Sequence, residues 1–426
     1  MINKRLFSLA GALLIAIAGG ETIAASSYSN IQFDKRLALV AENNQEVLLL
    51  SMPSAKQMQE FVRKILPHNP GRYGYRRVYS PELIRVNRQG KQTKMPIRRQ
   101  AVVYQDGISH ESLTLDLLAF ETKQGRRWVA EPGTDTPDLL PNPSNPSQML
   151  FIGRGRLRSP LNILDAKTLK VKQVNVAGLQ KAIAQIQALR PDEELGPRLT
   201  WVSQPTWSLD GKFIAFISNR NNYQNSAVWL HNVATGQDSQ VIEIPGVVFH
   251  LHGWTTDGRI LARSIVVSKE VNSSKETVVA INPATKQIQQ LAEGSLLTVS
   301  DDGKTLLYAT RKNEPPFSQT VYALSLKTGK SQLVFQDSPQ ENFGSRIIDF
   351  SANGDRIAFA LANSGKRRQS LFVYNLPTQQ AKRFPLPQTH LGFPVVWAGD
   401  HLLVPLEDLQ KLKSQTLLLS VDSSSK

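Results

Sequence analysis

The strongest constraint on the fold is a turn that keeps returning along the C-terminal half of the chain. Asp210-Gly211, Asp257-Gly258, Asp302-Gly303, Asn353-Gly354 and Gly399-Asp400 lie 47, 45, 51 and 46 residues apart. Asp-Gly and Asn-Gly suit two-residue type I′ hairpins, which demand positive φ at both central residues. Each turn leads into an apolar, β-rich run: Phe213 to Ile217, Ile260 to Ala262, Leu306 to Tyr308, Ile357 to Ala360 and Leu402 to Val404. Such runs read as buried strands. A second turn keeps step at Asn232-Val-Ala-Thr235, Asn282-Pro-Ala-Thr285, Ser325-Leu-Lys-Thr328 and Asn375-Leu-Pro-Thr378, each preceded by a further strand. Its Asx or Ser side chain is suited to closing a local turn on its own backbone.

Four antiparallel strands per repeat of this length are the signature of propeller blades, which must stack side by side to bury their faces. Asp165-Ala-Lys-Thr168, after the strands Met149 to Ile152 and Leu161 to Leu164, repeats the second turn upstream and brings the count to six. Strand-like segments around Leu83, Val102 and Leu115 either add irregular blades, making seven or eight, or belong to a separate region. The expected fold is all-β: a six-bladed β-propeller with an N-terminal mixed α/β region and one inserted helix. That helix is read from Leu179, Ile183, Ile186 and Leu189, which fall at helical spacing. A shorter one starts at Ser54 and ends at Pro67, with Met58, Phe61, Val62 and Ile65 on one face. The last blade stops after its third strand, Thr416 to Val421, which would leave an open sheet edge. Either Arg36 to Ala41 or Glu46 to Leu50 is expected to close it.

Lys4 and Arg5 precede an apolar run from Leu6 to Ala18, and small residues follow at Ala24, Ala25 and Ser26. This is the layout of a secretory signal peptide cleaved after Ala25, and the run is shorter than the roughly 18 to 20 apolar residues that span a bilayer. No later segment is apolar enough to span one. The expected organisation is a signal peptide over 1–25, a basic N-terminal region over 26–125 and a propeller over 126–426, placed in the periplasm or secreted. The chain has no cysteine, which excludes a lipidated cysteine and thiolate metal or redox sites. Losing Lys4, Arg5 and Glu21 with the signal takes the net charge from +15 to +14, a balance that favours acidic partners.

The segment Gln204-Pro-Thr-Trp-Ser-Leu-Asp-Gly-Lys-Phe-Ile-Ala-Phe216 resembles the blade signature of TolB-type, WD40-like β-propellers. Fragments of it return in Gly253-Trp254-Thr255-Thr256-Asp257-Gly258, Val299 to Gly303, Phe350 to Gly354 and Trp397 to Asp400. The resemblance covers residues 145 to 426. It implies a periplasmic protein with a six-bladed propeller that docks envelope proteins and performs no catalysis. The same signature occurs in peptidase propellers and in pectate-fragment lyases, so fold alone does not decide function.

No Gly-x-Ser-x-Gly nucleophile elbow is present. Gly303-Lys304-Thr305 and Gly329-Lys330-Ser331 have the tail of a phosphate loop without its first glycine, and they read as hairpin turns. Of the seven histidines only His250 and His252 are close in sequence, and on a strand they share a face. With a third ligand from His231, His390 or His401 they would suit a metal-dependent carbohydrate-active enzyme of the propeller-lyase type. The reading adopted instead is a pair of hydrogen-bonded binding residues, with no metal and no cofactor. Trp207, Trp254 and Trp397 each precede a turn, which points to repeated packing between blades rather than to sugar platforms.

Between Arg63 and Arg99 stand eleven Lys and Arg against the single acid Glu82, with Tyr73, Tyr75 and Tyr79 interleaved. Arginine forks suit phosphate and carboxylate. Arg72, Arg76, Arg77, Arg85, Arg88, Arg98 and Arg99, with His250 and His252, are therefore the candidate binding residues. The expected partner is an envelope protein or an anionic polysaccharide or lipid surface. Export disfavours nucleic acid.

Overall fold

The computed structural model describes residues 31–421 except 43–45, 61–62, 64–78, 88–89, 123–124, 133, 135, 156–157, 190, 192–200, 222–224, 267–274, 301, 313–317, 337–345, 354, 364–367, 385, 387–389, 392–394, 399–400 and 409–410. Its strands gather into eight antiparallel sheets, the blades of a β-propeller fold. In chain order these are blade 1 (37–95), blade 2 (98–130), blade 3 (140–173), blade 4 (202–242), blade 5 (247–293), blade 6 (295–336), blade 7 (346–384) and blade 8 (390–420). Six have four strands in sequential order, blade 2 has three, and blade 8 has five with Ile31–Phe33 included. The chain divides into two compact units, one holding blades 7, 8 and 1 and blade 6 from Leu297 on, the other blades 2 to 5 with Ser295 and Leu296. The proposed signal peptide lies outside the described residues.

Two expectations are corrected here. Among the described residues the blades number eight, the larger alternative rather than the expected six, and the region expected to be mixed α/β is blades 1 and 2. Blade 1 escapes a periodicity search because 31 residues separate its second strand, Glu46–Ser51, from its third, Leu83–Asn87. Blade 2 carries an Asp-Gly turn at Asp106-Gly107, where the Asp106 carboxylate accepts from Ile108 N at 3.1 Å and Ser109 Oγ at 2.7 Å. Described helices are few: α1 (Ala55–Glu60) and α2 (Val176–Leu189). Ser54 caps α1, its Oγ accepting from Gln57 N at 3.2 Å while Gln57 Oε1 accepts from Ser54 N at 2.9 Å. The inserted helix α2 stands where expected, with Leu179 buried.

The recurring first turn does not take the type I′ form. Between the first two strands of blade 4, Gly211 N donates to Ser208 O at 2.8 Å, and Phe213 N donates to Ser208 Oγ at 2.9 Å. Only the glycine has positive φ, +68°. Ser208 Oγ donates to Asp210 Oδ1 at 2.6 Å, which in turn accepts from Lys212 N at 3.1 Å. The same circuit joins Ser300, Asp302 and Thr305, so a hydroxyl two residues before the Asp, unremarked in the sequence, completes the motif. The second turn behaves as expected: Asn232 Oδ1 accepts from Ala234 N and Thr235 N, and Asn282 Oδ1 from Ala284 N and Thr285 N.

Second strands are buried on both faces. In Phe213–Ser218, Ile214 and Phe216 pack on blade 3 while Ala215 and Ile217 pack on blade 5. Trp207 and Trp254 are buried, and each indole reaches back one blade, to Leu140 O at 2.9 Å and Thr206 O at 3.4 Å. Trp397 is buried beneath the Arg356 guanidinium, which lies 4.8 Å from its ring centre. The three tryptophans are packing residues.

Closure is made by a segment just upstream of the expected ones. Ile31–Phe33 adds antiparallel to Lys413–Ser420 at the edge of blade 8, with Phe33 opposite Thr416. The segments expected to do this, Arg36 to Ala41 and Glu46 to Leu50, fall in the first two strands of blade 1, Leu37–Glu42 and Glu46–Ser51. Thr416, fully buried, ties the crossover: its Oγ1 accepts from Leu37 N and donates to Lys35 O, both at 2.9 Å.

Thr416→Val keeps the shape and removes both bonds, stranding a buried N–H and a carbonyl, so it should cost about 1–3 kcal/mol in a denaturation measurement. Gly258→Ala places its Cβ in open space and should cost about 1 kcal/mol for its positive φ alone. At Gly211 the same change would also press on Asn142 Oδ1 and Ser144 Oγ, so a loss at least twice as large is expected.

Candidate functional site

Two backbone irregularities on neighbouring first strands bring polar groups together. In Val202–Trp207 the register slips between Ser203 and Thr206, and Gln204 takes φ +49°. In Val247–Trp254 it slips between Leu251 and Gly253. Bulges of this kind re-aim side chains. Gln204 swings across to blade 5, where its Oε1 accepts from Leu251 N at 2.8 Å and its Nε2 donates to His250 Nδ1 at 2.8 Å. Accepting there leaves His250 with its proton on Nε2.

Arg263 stands directly opposite His250 in the ladder. Its Nη1 donates to Ser295 Oγ at 2.9 Å, and the group lies 3.6 Å from the Glu276 carboxylate. Its Nε is buried and has no hydrogen-bond partner among the described residues. Burial lowers the pKa of His250, and the Arg263 charge adds to the effect. Burial, Arg263 and then His250 push His252 down to about 4. Both imidazoles are thus neutral at pH 7, and beside them sits a guanidinium with an unused donor. A metal cation would meet that positive charge; a carboxylate or other anion would complete it.

The histidine pair forms a site with Gln204, Arg263, Glu276 and Ser295, none of which was singled out from the sequence. One signal was available: Arg263 interrupts the apolar run Ile260-Leu-Ala of a second strand. His231 does not join the pair. It is buried on another strand, with Nδ1 2.7 Å from Asp238 Oδ1, and Asp238 also binds Arg220. Among the described residues no cluster of three metal-ligating side chains occurs.

The basic stretch is only partly visible. Arg72, Arg76, Arg77 and Arg88 lie outside the described residues. Arg85 is on the third strand of blade 1, 4.0 Å from the Glu46 carboxylate. Arg98 is exposed on the first strand of blade 2, whereas Arg99 donates to the buried Glu131 at 2.7 Å. Lys94 binds Glu82 at 2.8 Å. These residues therefore occupy different sheets of different units and are partly neutralised. No described helix is long and apolar enough to cross a membrane.

No protein-family model matches the sequence, and no curated protein matches it. Solved structures do. Oligogalacturonate lyase in complex with manganese is similar over 93% of this chain and 98% of its own, at 10% identity and a TM-score of 0.50. A prolyl endopeptidase is similar over 65% of this chain, which spans 40% of that protein, at 16% identity and a TM-score of 0.47. TolB from Acinetobacter baumannii is similar over 76% of this chain and 80% of its own, at 14% identity and a TM-score of 0.35. Identities this low carry the fold alone, a β-propeller, and leave the TolB-type assignment without support from structure. Enzymes such as oligogalacturonate lyase share this fold, so the expectation that the chain performs no catalysis does not follow from it.

His252 is a pH-sensitive element. Its folded pKa of about 4 lies below the ordinary 6.5, so the unfolded chain binds more protons between those values. Stability should fall as pH drops from 6.5 towards 4 and flatten below. His252→Asn should remove that component from the pH profile of the melting temperature.

Proposed function

We propose that the protein is an exported docking protein of the cell envelope, whose propeller recognises an acidic group on an envelope protein or anionic polymer at the His250–His252–Arg263 site. The observation that carries this reading is Arg263: its guanidinium keeps 26% of its side-chain surface exposed beside imidazoles that are held neutral, so a carboxylate is the chemistry that fits. The signal-like first 25 residues and the charge of +15 support export and an acidic partner. A metal-dependent lyase is less well supported, because the guanidinium occupies the neighbourhood a cation would need.

The test is capture from an envelope extract by the wild type, by Arg263→Met, and by a variant with Arg72, Arg76, Arg77, Arg85 and Arg88 changed to Ala. Arg263→Met should weaken the apparent affinity for the captured partner about tenfold or more, the size expected for a lost charge-assisted hydrogen bond. It should do so with an unchanged melting temperature. Undiminished capture by Arg263→Met would remove the site from recognition, and loss confined to the multiple-arginine variant would move recognition to the basic stretch.

A further inference from the structure

A separate cleft of about 670 Å³ opens in the unit that holds blades 8 and 1, at the place where the N-terminal strand closes blade 8. Its walls come from four stretches of chain. Asp34 and Lys35 follow the closing strand, Ser51 to Gln57 and Tyr79 to Glu82 frame the insertion of blade 1, and Leu412 to Gln415 form the hairpin leading into the strand that Ile31–Phe33 pairs with. The size falls in the range of small-molecule sites. The lining does not resemble an apolar drug-like pocket: hydroxyls, amides and ammonium groups dominate, with Met52 and Leu412 as the aliphatic exceptions.

The charges in the cleft are unevenly committed. Glu82 is gripped by Lys35 and Lys94, and those two bonds hold its pKa down to about 2, so it stays ionised and occupied. Asp34 accepts from Gln415 at 3.5 Å. Lys56 and Lys413 have no ion-pair partner among the described residues, and both are exposed. Tyr79 is buried, with its hydroxyl donating to Ser51 O, which fixes the floor of the cleft. The uncommitted groups are thus two ammonium ions beside the Ser80 hydroxyl, while Ser54 is tied to Gln57 and Gln415 to Asp34.

We propose that this cleft binds an anionic, hydroxyl-rich small molecule, an acidic or phosphorylated sugar. Lys56 and Lys413 take the negative group, and the Ser80 hydroxyl and the Asp34 carboxylate take the sugar hydroxyls. Because the walls belong to both sides of the closure, the bound ligand bridges blade 8 to the chain entering blade 1 and stabilises the pairing of Ile31–Phe33 with Lys413–Ser420. Occupancy is thereby linked to stability, as for any ligand that binds only the folded state.

The experiment measures melting temperature and amide exchange of the protein with glucuronate, glucose 1-phosphate, glucose, or sodium chloride at matched ionic strength. At least one of the two anionic sugars should raise the melting temperature by about 2 °C or more and slow exchange at residues 31–33, with glucose and chloride doing neither. Which one acts identifies the anionic group. The Lys56→Met, Lys413→Met double variant should fold with an unchanged melting temperature and lose the response, whereas Arg263→Met should keep it. An equal response in the lysine variant, or no response to either anion at tens of millimolar, would overturn the proposal. Should the lysine variant melt early, Lys56→Arg with Lys413→Arg should restore both stability and response, and failure to regain the response in that stable variant would count against it.

Discussion

Everything in this fold depends on apolar contact between consecutive sheets. A blade with both faces apolar cannot exist alone, because each exposed face would cost roughly 25 cal/mol for every Å² left in water. The alternation along a strand solves this by sending odd and even residues to opposite neighbours. Ile214 and Phe216 meet Leu150 and Leu161 of blade 3, while Ala215 and Ile217 meet Phe249, Leu251 and Ile260 of blade 5. Ile357 and Phe359 likewise face blade 6, and Ala358 and Ala360 face blade 8. The pairing of blades 8 and 1 is of the same kind, with Phe33, Leu403 and Leu418 against Leu37, Val47 and Leu49.

Given that constraint, turns and edges are where hydrogen bonding decides geometry. Ser208, Asp210 and Gly211 close one turn through side chain and backbone together, and Asn232 closes the next. These local circuits leave the strands free to make contacts across blades. The closing strand is the converse case: Ile31–Phe33 is only three residues long, and it is held by a long-range partner, Thr416, rather than by a tight turn. Short, covered edges of this sort also remove the template for unwanted strand addition.

At the candidate site the same first strands that carry packing residues also carry polar ones, and two bulges separate the roles. Phe249 and Leu251 point into the core, while His250 bonds Gln204 and His252 feels the charge of Arg263. What distinguishes this pair from His231 is the company each keeps. An aspartate beside His231 and an arginine beside His250 and His252 give the same side chain opposite electrostatic surroundings. A buried ion pair elsewhere, Arg158 with Asp106 at 3.3 Å, shows that this unit also holds charges inside for structural ends.

The repeat was legible from the sequence because turn chemistry is local. Asp, Asn and Gly mark positions where the backbone needs a side-chain acceptor or positive φ, and their spacing reveals the blade. The apolar second strands and the helix at Leu179 were legible for the same reason. The blade count was not, since the 31-residue insertion between Ser51 and Leu83 hides one blade and blade 2 has only three strands. Nor was the closing strand, because nothing in Ile31-Gln-Phe33 distinguishes it from Leu37–Glu42 until the partner edge exists. His250 and His252 could be singled out by spacing, but Gln204 lies 46 residues away and Arg263 reads as one cation among fifty. Local chemistry thus determined where this chain turns and what its strands bury, and only the tertiary structure, by setting distant residues side by side, decided how many blades there are and which charges meet.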